Sequence, residues 1–155
     1  PERLTRHVTA LVPIDDRQLS RSEVALRTGV ANEPNATQIA ELVRLCAQLL
    51  EPARALLAAP LHISSGYRSP AVNVAIGGAR RSAHMDGRAA DFVAIGRELQ
   101  PSFDWLRRSC LPYDQIILEC GAWLHLAIAV AGARPRRQAL IAAGGPGRWT
   151  YTEAA

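Results

Sequence analysis

One stretch of the chain gathers residue types able to hold a metal. Ser82–Asp91 reads Ser-Ala-His-Met-Asp-Gly-Arg-Ala-Ala-Asp, with His84 and Asp91 on either side of Gly87 and the apolar Phe92-Val93-Ala94 following. An imidazole nitrogen and a carboxylate oxygen, converging from a bend and a strand, are two of the donors that zinc accepts. A second segment, Glu119–His125, carries another carboxylate and another imidazole.

Whether the second segment can serve the first depends on a hairpin register. Tyr113–Glu119 and Trp123–Val130 read as strands joined by Cys120-Gly121-Ala122. With a three-residue loop, Glu119 faces Trp123 and Ile117 faces His125. Strand alternation then puts Glu119, Trp123 and His125 on one sheet face and Leu118, Leu124, Leu126 and Ile128 on the other. Ala127 and Ala129 fall on the His125 face and leave room for a substrate. A two-residue loop would turn Glu119 away from His125, and the partition of apolar residues favours the three-residue register.

Two His and one carboxylate around an open position is the donor count of a catalytic zinc site. Such an ion lowers the pKa of a water to about 7 and polarises a carbonyl under attack. A nearby Glu that is not a ligand can take the water's proton and pass it to a leaving amine. A neighbouring Arg such as Arg68 can hold a carboxylate or a developing oxyanion.

The elements that must position these residues are legible in part. Ser20–Leu26 is expected to be a short helix, with Gly29 closing it. Asn35-Ala-Thr-Gln38 has the form of a capping box. From there Ile39, Leu42, Val43, Cys46, Leu49, Leu50, Ala53 and Leu57 recur at helical spacing, with Pro52 kinking or restarting the helix. Leu61–Ser65 alternates like a strand, Gly66–Pro70 forms a turn, and Ala71–Ile76 is a helical turn closed by Gly77-Gly78. Ala89–Ala94 reads as a buried strand. Ser102 is expected to cap a helix reaching about Ser109, carrying Phe103, Trp105 and Leu106 inward. A helix is expected near Arg137–Ala143, followed by a Gly/Pro-rich turn and a loose C-terminus. Helices followed by a mainly antiparallel sheet define an α+β fold.

At 155 residues the chain fits one domain, with a weakly defined segment 1–34, a motif-bearing core 35–130 and a tail 131–155. Nearly half the residues are apolar, which argues against disorder. No apolar run is long enough to span a bilayer. Every basic residue is Arg, which excludes lysine Schiff-base chemistry. The net charge of +4 favours a polyanionic partner. The scattered Arg pairs lack a stacking platform or a recognition-helix motif, so no nucleic-acid partner is expected. Three Cys without a CxxC spacing do not make a disulfide framework. Nothing near Pro1 reads as a secretory signal; the expectation is either a phage-type lysis protein or an exported protein trimmed of its signal.

The motifs Ser64-Ser-Gly-Tyr-Arg-Ser69, Asn73…Gly77-Gly78, Ser82-x-His84-x-x-Gly87-x-Ala89-x-Asp91 and Glu119…Trp123-Leu-His125 together resemble the zinc D-alanyl-D-alanine carboxypeptidases, and more closely their phage and endolysin-like branch. The resemblance covers roughly residues 35–130, and the Hedgehog signalling domain shares the zinc arrangement. It implies Zn2+ held by His84, Asp91 and His125, with Glu119 as general base. Many relatives carry that Glu three residues before the last His, where this chain has Ala122, so Glu119 rests on the hairpin register and on the Hedgehog-like spacing. Trp123 stands where some relatives have a second His. Arg68 and Ser82 match positions that relatives use to place substrate.

The resemblance implies a zinc peptidase acting on peptidoglycan stem peptides, as a D-Ala-D-Ala carboxypeptidase or a muramoyl peptide endopeptidase, and a monomer is expected. The alternative is a zinc-stabilised cell-wall binding module without turnover. Bland readings stand beside the sharp ones: core histidines for His84 and His125, a turn cap for Asp91, a solvated strand end for Glu119, and a packing role for Trp123. Arg68 could equally pair with an acid and Ser82 order the His84 turn, while Asp86 and Cys120 read as surface turn residues and His62 as structural.

Overall fold

The computed structural model describes residues 14–145 and 148–154; His7, with the rest of 1–13, lies outside the described residues. Six strands form one sheet: β1 (Leu61–Ser65), β2 (Ala89–Ala94), β3 (Tyr113–Glu119), β4 (Trp123–Ile128), β5 (Gln138–Ala143) and β6 (Thr150–Glu153). Their order across the sheet is β1-β2-β4-β3-β5-β6, antiparallel except for β3 beside β5. The architecture is α+β.

The helices are α1 (Asp16–Ser20), α2 (Glu23–Thr28), α3 (Ala36–Leu45), α4 (Glu51–Leu57), α5 (Pro70–Ala75) and α6 (Leu99–Arg108). Asn35 and Gln38 form a reciprocal capping box at the start of α3, as their spacing predicts. A π-helical turn, Cys46–Leu50, links α3 to α4, and Pro52 sits in the first turn of α4. The helix therefore runs on without a restart at Pro52, its ladder widened in the turn before the proline. Leu42, Leu45, Leu49, Leu50, Ala53 and Leu57 are buried against one face of the sheet, where they meet Phe92, Leu124 and Leu126 together with Phe103 and Leu106 of α6.

Three expectations need correction. The segment expected as one helix, Ser20–Leu26, is divided between α1 and α2, because the Ser22 side chain accepts from the Ala25 amide and starts a new helix. Gly29 does end it, in the left-handed conformation. Ser102 is not a cap. The N-cap is Glu98, Pro101 falls in the first turn where its missing N–H costs little, and Ser102 is buried and donates to the Glu98 carbonyl at 2.7 Å. Phe103 and Leu106 point inward, but Trp105 is 62% exposed.

The third correction is the largest: 138–143 is strand β5, not a helix, and the tail continues into β6. Gln-Ala-Leu-Ile-Ala-Ala suits either state locally, and an unpaired edge of β3 decides between them. β4 returns the chain to the starting end of β3, and β5 pairs with the free edge of β3 in the parallel direction.

Candidate metal centre

Each donor is held in place by a local feature of the chain. His84 lies in a 3-10 turn, Ala83–Asp86, closed by Gly87 at φ 72°. A Cβ on Gly87 would stand 2.6 Å from the Gln38 carbonyl oxygen, so this position requires glycine both for its backbone and for the close approach of α3. Gln38 fastens the same turn by donating to the Met85 carbonyl at 2.9 Å. On the other side, the Gly66 carbonyl accepts from His84 Nδ1 at 2.6 Å. Gly66 can approach because it lacks a side chain: a Cβ there would meet the Leu19 carbonyl oxygen at 2.1 Å. A similar close fit explains Asn73 and Gly78, since a Cβ on Gly78 would strike the Asn73 amide at 2.2 Å.

Asp91 and His125 are directly paired residues of β2 and β4. Alternation sends Ala90, Phe92 and Ala94 into the core and Asp91 to the opposite face. The hairpin has the expected register, with Glu119 opposite Trp123 and Ile117 opposite His125, so Glu119 shares the face that carries Asp91 and His125.

His84, Asp91 and His125 are all buried, and one donor atom from each lies within 4.8 Å of the others. His84 Nε2 is 3.2 Å from Asp91 Oδ1 and 3.2 Å from His125 Nδ1, and His125 Nδ1 is 2.8 Å from Asp91 Oδ1. Zinc bonds of about 2.0–2.1 Å at tetrahedral angles space donors about 3.3 Å apart. The trio needs to open by only a few tenths of an ångström to match. With His84 Nδ1 committed to the Gly66 carbonyl, Nε2 of the neutral ring directs a lone pair at the point faced by the other two donors. A cation between them is the natural complement.

The electrostatics agree. Burial lowers the pKa of His84, outweighing the nearby Asp91 that would raise it. Burial works against the charge of Asp91, but attraction and hydrogen bonding from His84 and His125 hold its carboxyl well below the usual range. A neutral imidazole and an ionised carboxylate are the states a metal requires. Glu119 behaves differently: burial, and then repulsion from Asp91, raise its pKa.

The other residues singled out by sequence fall around this centre. The Arg68 guanidinium pairs with Asp91 Oδ2 and donates through Nε to Ser65 Oγ at 2.8 Å. It therefore braces Asp91 from behind. Ser82 opens the His84 turn without a side-chain cap bond. Trp123 is half-buried beside Glu119; its indole N–H lies near that carboxylate without reaching normal hydrogen-bond geometry. Asp86 pairs with Arg88 at the surface, Cys120 sits in the hairpin loop, and His62 is exposed on β1. Sequence reasoning did not find the role of Gly66 as the support of His84, although Gly66 was in a motif it noted.

A sheet carrying a buried His-Asp-His group, with a carboxylate on the same face, defines a metallopeptidase-type centre. The profile of the family described as Peptidase M15 matches residues 15–127, and the chain belongs to that family. Its members are zinc-dependent peptidases, and His84, Asp91 and His125 are the group here that fits the ion. No curated protein gives a match to the chain. No helix among the described residues is long and apolar enough to cross a membrane.

Proposed function

We propose that the chain is a single zinc peptidase domain that hydrolyses peptide bonds of the peptidoglycan stem, acting on the cell wall as a D-Ala-D-Ala carboxypeptidase or a muramoyl peptide endopeptidase. The observation that carries the reading is the convergence of His84, Asp91 and His125 with Glu119 on the same sheet face. The net positive charge suits a wall polymer rich in carboxylates.

When bound, zinc supplies a Lewis acid that makes water a nucleophile at neutral pH and polarises the scissile carbonyl. The rest of the work belongs to side chains. Glu119 accepts the proton of the attacking water and delivers it to the departing amine. Before the ion binds, burial and the Asp91 carboxylate hold its proton affinity above the ordinary carboxylate range. Arg68 keeps Asp91 oriented, and its remaining N–H groups provide positive charge near the developing oxyanion. Ser82 and Trp123 border the space in which the peptide lies.

The test is cleavage of defined muropeptides by the zinc-loaded protein, with products identified by mass. Glu119→Gln should abolish turnover with zinc retained, whereas His125→Ala or Asp91→Ala should lose the metal as well. Binding of muropeptides with no product would instead establish a zinc-stabilised wall-binding module.

A further inference from the structure

The strand pairing sets two parallel rows of side chains on the metal-bearing face. One row runs Asp91, His125, Ile117, Leu140 and Glu153 across β2, β4, β3, β5 and β6. The next runs Trp123, Glu119, Ala142 and Tyr151 across β4, β3, β5 and β6. Residues in register on neighbouring strands project to the same side. The β5–β6 hairpin, which lies outside the part of the chain matched by the family, therefore extends the metal face beyond Glu119.

Ala142 is buried with Ile117 and Leu140, and Trp149 packs against them. Tyr151 stands beyond Ala142 and is 49% exposed. Two strand spacings, about 10 Å, separate the Glu119 and Tyr151 backbones. Ala142, itself covered on this face, lies between them in a row that Trp123 begins on the other side of Glu119.

We propose that Tyr151 is a substrate-contacting residue of this site, its half-exposed ring bordering the bound peptide on the side of Glu119 away from Trp123 and its hydroxyl donating a hydrogen bond to a carbonyl or carboxylate of that peptide. The inference rests on the peptidase reading and names a residue that decides which peptides are accepted. Burial, and then the charges of Glu119 and Cys120, raise the pKa of the phenol, so it is protonated at neutral pH and available as a donor.

The experiment uses the full zinc-loaded chain with Tyr151→Phe, Tyr151→Ala and, as a control, Thr152→Ala, whose side chain lies on the opposite face of β6. Zinc content, muropeptide cleavage and muropeptide binding are measured for each. Tyr151→Phe should lower kcat/KM about three- to tenfold, the range for one hydrogen bond. Tyr151→Ala should lower it about thirtyfold, chiefly through KM. Zinc content should not change, and Thr152→Ala should match the wild type. Equal activity of both Tyr151 variants and wild type would overturn the inference, as would loss of zinc in either variant. If the wild type binds muropeptides without cleaving them, the peptidase reading fails, yet weaker binding by Tyr151→Ala would still support the contact. A wild type that neither binds nor cleaves overturns both.

Discussion

Replacing Gly87 with Ala tests whether close approach of α3 holds the metal-bearing turn in place. Gly87 has φ 72°, and Gly29 has nearly the same backbone at φ 68°. The two differ in surroundings. Nothing lies within 4 Å of a Cβ built on Gly29, whereas a Cβ on Gly87 would be 2.6 Å from the Gln38 carbonyl oxygen and 3.2 Å from Leu42 Cγ. The left-handed backbone costs an L-residue about 1–2 kcal/mol, and the stiffer unfolded chain returns about 0.4–1 kcal/mol. Gly29→Ala should therefore lose about 1 kcal/mol. Gly87→Ala adds the cost of displacing backbone in a packed region, about 1–3 kcal/mol, for a total of about 2–4 kcal/mol. For a chain of this length that difference separates a melting shift of roughly 2–4 °C from one of roughly 5–15 °C.

The second readout is zinc. The Gly87 amide donates to the His84 carbonyl at 3.2 Å, so moving Gly87 moves the imidazole. Zinc affinity, measured by competition with a chromophoric chelator, should fall at least tenfold in Gly87→Ala, as for other changes that disturb a ligand's support, and remain unchanged in Gly29→Ala. Thermal denaturation of the chelator-treated proteins gives the stability difference free of metal binding. Equal melting shifts for the two variants, or undiminished zinc affinity in Gly87→Ala, would refute the reasoning.

Arg68→Ala should weaken zinc binding about 10–100-fold, because Asp91 loses the partner that holds its second oxygen; chelator competition measures it, and Arg68→Lys should restore only part. Zinc should lower the pKa of Glu119, which burial and Asp91 raise in the metal-free chain, since a nearby cation favours the carboxylate; carbon-detected NMR titration with and without zinc checks the sign. Burial opposes the charge of Asp114, but its bonds to the side chain and amide of Arg136 prevail and lower its pKa. The stability it adds is present above the ordinary Asp value of about 4 and lost as pH falls through the lowered one. Denaturant melts of wild type and Asp114→Asn should therefore differ at neutral pH and converge in acid.

Features governed by neighbours in the chain were readable from the sequence. The Asn35–Gln38 box, β1, β2 and the β3–β4 hairpin follow from caps, alternation and loop length, all interactions of short range. The register of that hairpin follows from the partition of Leu118, Leu124 and Leu126 away from His125, since a one-residue slip would bury the wrong face. Through the register and the motif spacing, the sequence by itself determined that His84, Asp91, His125 and Glu119 belong together.

Contacts between distant segments were decided only in the tertiary structure. The stretch 138–143 has no pattern that excludes a helix, and it becomes β5 because β3 offers an unpaired edge. Trp105 lies outside because α6 packs on the core through Phe103 and Leu106, which leaves position 105 on the solvent side of the helix. Whether Arg68 faced substrate or an acid depended on where Asp91 arrived, and it arrived beside the guanidinium. Gly66 supports His84 only because α1 packs against its backbone. Tyr151 reaches the row of Glu119 only through two further strand pairings. Each of these depends on contacts between residues far apart in the chain, whose free energy appears only when the segments meet.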